Sequence, residues 1–196
     1  MNTLTSLASR LLDATRFVSR IANRLIGGLL LLVVVLIVVE VVLRKLGLAS
    51  LRGVTEYSGY VLAMLSSWTL AHTLIERAHI RIDLGYSKMP AVARTLLDLV
   101  SIFSVALVGW VIALHAWPVL ARSWSNGSLA NTPLSTPLWI PQLVWALGYI
   151  WFAIAASVLG VRAALAALLQ GRAEVQTLIG MTSESPILDA AKEERR

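Results

Sequence analysis

Four long apolar stretches without a charged residue dominate this chain of 196 residues. The charged residues collect at the ends of these stretches, which run over 27–39, 57–75, 99–121 and 138–161. A helix that crosses a bilayer needs about 20 mostly apolar residues, and the first stretch is long enough if it extends past Glu40 to Leu43. Because lipid offers the backbone no hydrogen-bonding partners, each stretch must satisfy its own backbone as a helix. The sequence therefore predicts an all-α membrane protein with four transmembrane helices.

The composition supports one membrane-embedded bundle and no soluble domain. Only 14% of the residues are charged, against about 25% in ordinary soluble domains. The net charge of +6 does not indicate a nucleic-acid partner, because the basic residues flank the apolar stretches. The absence of cysteine excludes disulfides, thiolate metal sites and iron–sulfur clusters.

The distribution of lysine and arginine predicts the orientation. With the N-terminus inside, thirteen of these residues fall on the cytoplasmic side and four on the other side. Basic residues are enriched in cytoplasmic loops. We therefore expect a multi-pass membrane protein with both termini in the cytoplasm.

The two ends of the chain differ from the bundle predicted for residues 25–169. Residues 1–24 carry an apolar stripe at spacings of three and four, with Arg16, Arg20 and Arg24 on another face. This pattern predicts an amphipathic helix in the membrane interface, with its arginines toward anionic lipid headgroups. The alternative is a plain extension of the first span. The polar segment 170–196 is predicted to be a disordered cytoplasmic tail. The stripe consists of Leu4, Leu7, Leu11, Ala14, Val18, Ile21 and Leu25.

Two carboxylates mark the outer edge of the predicted bundle. Glu40 precedes Arg44 by one helical turn, which is the favourable order for an ion pair. A carboxylate inside a span can also serve transport, and this alternative stays open. Glu56 opens the second span, where its negative charge suits the positive end of the helix dipole.

Polar and apolar residues alternate between the second and third spans. His79, Arg81 and Asp83 fall on one side of a predicted extended segment over 78–84. We expect them to stabilise the cytoplasmic end of the bundle through span ends or a partner. A metal site is disfavoured, because His79 and Asp83 are too few as ligands.

The sequence carries no enzymatic motif and predicts no cofactor. A haem anchor would need axial ligands at one depth, whereas His72 and His115 lie at about 5 Å and about 24 Å from the inner edge at 1.5 Å per residue. Glycines at 148 and 160 predict close helix packing in the fourth span.

Residues 25–169 resemble the DctQ-type small membrane subunit of tripartite ATP-independent periplasmic (TRAP) transporters. Arg77 departs from the family, which often has glycine there. Three segments carry the resemblance: Glu56-Tyr57-Ser58, Ala78-His79-Ile80-Arg81-Ile82-Asp83 and Thr136-Pro137-Leu138-Trp139-Ile140-Pro141.

The resemblance implies a function that depends on partners. In that family a large permease subunit carries a small organic anion and sodium, and a periplasmic binding protein delivers the anion. The small subunit would be a scaffold or stator for the large one, without catalysis or cofactor. Two alternatives remain: a self-contained proton-coupled transporter that uses Glu40, and the haem anchor.

Overall fold

The described part of the chain is helical throughout. The computed structural model describes residues 3–48, 51, 53–77, 86 and 89–180, and within them there is no strand, only an isolated bridge between Leu129 and Pro137. The prediction of an all-α protein is confirmed. The five helices of the described residues are α1 (Thr3–Lys45), α2 (Val54–Ile75), α3 (Ala91–Ser125), α4 (Trp139–Leu169) and α5 (Arg172–Ile179).

Three of the described helices, α1, α3 and α4, are long and apolar enough to cross a membrane. The second predicted span, α2, has 22 residues but does not meet the same criterion. Its apolar residues are diluted by Glu56, His72 and several serines and threonines. The four-span count and the orientation of the termini therefore remain predictions.

One continuous helix, α1, includes both the N-terminal segment and the first apolar stretch. Its 43 residues correspond to roughly 65 Å of helix, without a break at residue 24. This differs from an interfacial helix that turns before the first span, and it agrees with the alternative of a plain extension. The predicted apolar stripe is mostly exposed. The buried residues in the first half of α1 are Thr5, Ala8, Leu12, Thr15 and Ser19, and all except Leu12 are small or polar.

The centre of the bundle is α4, which contacts all four other helices, whereas α2 and α3 do not contact each other. Alanines make this position available, because their small side chains let neighbouring helices approach on several sides. The close approach expected at Gly148 is confirmed, since a Cβ there would lie 2.4 Å from Ser67 Oγ. Gly160 has ordinary spacing, with the nearest atom of Phe103 at 3.4 Å. The fully buried alanines of α4 are Ala153, Ala155, Ala156, Ala163 and Ala166.

Three tryptophans connect α4 to the other long helices. The Trp68 indole donates to the Val144 carbonyl at 2.9 Å and joins α2 to α4. Trp151 of α4 donates to Ser19 of α1 at 2.9 Å, which explains why a polar residue of α1 is buried. Trp110 of α3 donates to Ser157 of α4 at 3.1 Å. These bonds fix the rotation of each helix about its own axis.

Two local features follow α4 and α2, and the first differs from the sequence-based expectation. Residues 172–179, which were expected to belong to a disordered tail, form α5 with Val175 and Ile179 buried. These two residues are one turn apart, so a short apolar face docks on the core. After α2, Arg77 has φ +56°, the left-handed conformation that favours glycine. Residues 181–196 lie outside the described part.

Candidate functional site

The three buried charged residues of the described part lie near the ends of the long helices. They are Glu56 in the first turn of α2, Asp98 in the first third of α3 and Arg162 in the last third of α4. We call the two sides of the bundle the Glu56 end and the Arg162 end. Each of the three has a hydrogen-bonding partner within the chain.

At the Glu56 end, α2 is fixed to the segment between α3 and α4. The Glu56 carboxylate accepts hydrogen bonds from Tyr60 at 2.7 Å and from Thr132, which lies in that segment. Gly53 precedes α2 with φ +91°, and a Cβ there would lie 2.1 Å from Leu134. Within the same segment, the backbone N–H of Ala130 donates a hydrogen bond to the carbonyl of Thr136 at 2.9 Å. Glu56 thus holds an ordered loop against the start of α2.

We expect Glu56→Gln to weaken this attachment. The amide keeps the shape but replaces a charge-assisted bond from Thr132 with a weaker one. The melting temperature of the purified chain should fall by roughly 2–4 °C. Thr132→Val should act similarly, and the double variant should cost less than the two singles added together. The exposed Thr55→Val serves as the control. Additive effects of the two substitutions would contradict a shared contact.

Glu40 contacts the connection between α1 and α2. Its carboxylate accepts a hydrogen bond from the backbone N–H of Leu51, eleven residues later. Because the bond joins the end of α1 to the loop, Glu40 has a structural partner that the sequence did not indicate. Arg44 is exposed in the last turn of α1. The expected ion pair between Glu40 and Arg44 stays a prediction.

At the Arg162 end, a buried arginine joins α4 to α5. Arg162 donates to Gln170 at 2.9 Å and to Glu174 at 3.1 Å, and its side chain is only 8% exposed. The side chain of Glu174 is 42% exposed, so water screens part of this ion pair. From the sequence, Arg162 was one of the thirteen basic residues expected on the cytoplasmic side. Arg162 lies near the end of an apolar span, and Glu174 follows it twelve residues later. This pattern could have indicated an ion pair at the end of the helix.

Removing the partner of Arg162 should destabilise the docking of α5. Glu174→Gln leaves a buried guanidinium without a carboxylate, and we expect a loss of about 1–2 kcal/mol after screening by solvent is allowed for. Thermal unfolding of the purified chain measures this loss. Glu76→Gln is the matched control, because its contact with Arg20 is long, at 3.9 Å, and half exposed. Equal stability of Glu174→Gln and the control would contradict a structural role for the pair.

A third buried charge, Asp98, contacts the connection between α2 and α3. Its carboxylate accepts a hydrogen bond from Tyr86 at 2.6 Å, and the Arg94 guanidinium lies 6.0 Å from the Tyr86 ring centre. Neither Asp98 nor Tyr86 was predicted from the sequence to have a role. The residues that were predicted in this connection, His79, Arg81 and Asp83, lie outside the described residues.

Neither a metal centre nor a haem pair is assembled in the described part of the chain. It contains no group of three or more histidines, cysteines, aspartates or glutamates that could hold a metal ion. His72 lines a groove between α1 and α2, whereas His115 Nδ1 lies 2.7 Å from the Val111 carbonyl within α3. Since α2 and α3 do not contact each other, the two histidines are not brought together.

One protein family matches this chain. The family described as the DctQ component of tripartite ATP-independent periplasmic transporters matches residues 33–171, which is more than half of the chain. The match extends from the apolar half of α1 to the end of α4 and omits α5 and the first 32 residues. No curated protein and no solved structure matches the chain.

Proposed function

The chain belongs to the DctQ family of TRAP transporter components, and from this membership we propose that it is the scaffold or stator of its transporter. It holds a large permease subunit in the bacterial inner membrane during sodium-coupled uptake. The transported molecule is a small organic anion delivered by a periplasmic binding protein. The chain has four spans, of which α2 is the least apolar, and both termini are cytoplasmic. DctQ is a family of transporter components and not of enzymes.

The positions of the buried charged residues support this proposal. In the described part of the chain, Glu56, Asp98 and Arg162 are each held by a neighbouring loop or by α5. Between them most of the buried residues are apolar, with hydrogen-bonded serines at Ser19 and Ser67. Charged residues inside a membrane usually mark the path of an ion or a substrate. Here the buried charges of the described residues lie near the helix ends, and each has a partner within the chain. Transport therefore falls to the large subunit.

The apolar surfaces suggest how the chain meets its surroundings. In the most apolar window of α1 only 6% of the residues are buried, against 50% in α4. A bundle whose first helix is so exposed can pack that helix against lipid or the permease without changing its own core. We propose that the outer edge around Glu40 and Arg44 and the segment with His79, Arg81 and Asp83 meet the large subunit.

A self-contained proton-coupled transporter would depend on Glu40 as its carboxylate. We expect Glu40→Gln to lower the yield of co-purified complex modestly, because the bond to Leu51 weakens. Uptake per assembled complex should be unchanged, measured in proteoliposomes that also contain the permease. Asp13→Asn is the control for loss of one exposed carboxylate, since the side chain of Asp13 is 71% exposed. Uptake abolished while assembly remains intact would favour the proton-coupled alternative.

A further inference from the structure

The proposed subunit role does not involve the polar groove that lies between α1 and α2. It encloses a cavity of about 350 Å³ near the Arg162 end. Arg20, Asn23 and Arg24 line it from α1 at spacings of three and four, and His72 and Glu76 line it from α2, four residues apart. Both helices therefore turn one polar face toward the same space.

Several hydrogen-bond donors in the groove lack a partner among the described residues. The side chains of Arg24 and His72 make no hydrogen bond or ion pair with the described residues. Asn23 accepts a bond from Thr69 through Oδ1 at 3.3 Å, which leaves its amide N–H groups available. Arg20 is only loosely paired with Glu76, at 3.9 Å. Two guanidinium groups against one carboxylate leave a net positive charge, so the groove fits an anion with several acceptor oxygens.

The position of the groove along the helix axes indicates that its ligand is a lipid. The charge-free stretch of α1 begins at Gly27, about 4.5 Å along the axis from Arg24, and that of α2 ends at Ile75, next to Glu76. The groove thus lies where the apolar parts of both helices end. In a bilayer this is the level of the phosphate groups.

The surface of α1 next to the groove offers room for an acyl chain. Gly27 and Gly28 follow Arg24 by three and four residues and so continue the same face. A Cβ at either glycine would meet no atom within 4 Å, so this strip is open. Leu25 and Leu29 are exposed beside it. A donor-rich groove that continues into an open apolar strip has the shape of a phospholipid site.

We propose that this groove binds the phosphodiester of an anionic phospholipid, with an acyl chain along the Gly27–Gly28 strip. Arg24, His72 and Asn23 donate to the phosphate oxygens. Arg20, held near Glu76, adds positive charge beside the headgroup. The lipid would thereby join α1 to α2 at the membrane surface, where the two helices have few direct polar contacts.

Native mass spectrometry of the full-length chain in detergent tests the proposal. Phosphatidylglycerol, phosphatidylcholine with the same acyl chains, and free glycerol 3-phosphate are titrated separately. We expect phosphatidylglycerol to bind at least about tenfold more tightly than phosphatidylcholine, because its net negative charge complements the groove. Glycerol 3-phosphate lacks acyl chains and should not compete at equal concentration. Equal binding of the two lipids, or competition by glycerol 3-phosphate, would overturn the proposal.

Substitutions locate the site. Arg24→Gln should weaken phosphatidylglycerol binding about tenfold, since a charge-assisted bond to phosphate is lost. Arg10→Gln removes the same charge from an exposed position of α1 outside the groove and should leave binding unchanged. His72→Leu provides a second variant and should weaken binding several-fold at an unchanged melting temperature. Equal losses in Arg24→Gln and Arg10→Gln would show diffuse attraction to the surface and would overturn a defined site.

Discussion

Gly148→Ala should destabilise the bundle more than any other single methyl group added to its glycines within the helices. The new Cβ would lie 2.4 Å from Ser67 Oγ and 2.7 Å from Trp68 Cδ1, so α2 and α4 must move apart. Overpacking of this kind costs about 1–3 kcal/mol. The shift would also strain the hydrogen bond from the Trp68 indole to Val144. Thermal unfolding of the purified chain measures the loss.

Two further variants separate the steric clash from other effects of adding a methyl group. Gly59→Ala introduces the same methyl group in α2, where no atom lies within 4 Å, and should leave stability nearly unchanged. Ser67→Ala should restore part of the stability of Gly148→Ala, because it removes the atom nearest to the new methyl group. Equal melting temperatures for Gly148→Ala and Gly59→Ala would contradict the close packing of α2 and α4.

The sequence predicted the features that depend on local pattern. The apolar stretches gave the cores of the long helices, and the glycine at 148 indicated a close approach that the structure contains. The motif around Glu56 pointed to the start of α2, where that side chain holds the loop. The three segments that carry the family resemblance lie between residues 56 and 141, and the family match covers residues 33–171. These features are set by residues close in sequence or by spacing along one helix.

The sequence could not predict features that depend on which helix faces are covered. The apolar stripe of α1 was assigned to the membrane interface, and nothing in that pattern indicated that Thr15 and Ser19 on another face are buried. In lipid, exposed apolar side chains cost little, so small and polar residues pack between helices. The partner of Glu40 is a backbone N–H from a loop, and that of Arg162 is a side chain of α5. Both contacts depend on chain turns that the local pattern does not determine.

The largest expected effect concerns uptake itself. The chain alone should transport nothing, and the permease without the chain should lose most of its activity, because its scaffold is missing. The physical reason is that the buried charges of the described residues are held near the helix ends, whereas apolar faces on α1 and α3 are exposed and open for packing. The labelled substrate for this experiment is the organic acid that most raises the melting temperature of the partner binding protein.

The most direct test of the scaffold role is uptake into three sets of proteoliposomes under one inward sodium gradient. They contain the chain alone, the permease alone, or both, each with the loaded binding protein outside. We predict accumulation only in the third set, with the other two near the level of empty vesicles. Accumulation by the chain alone, or a full rate by the permease alone, would contradict the scaffold role.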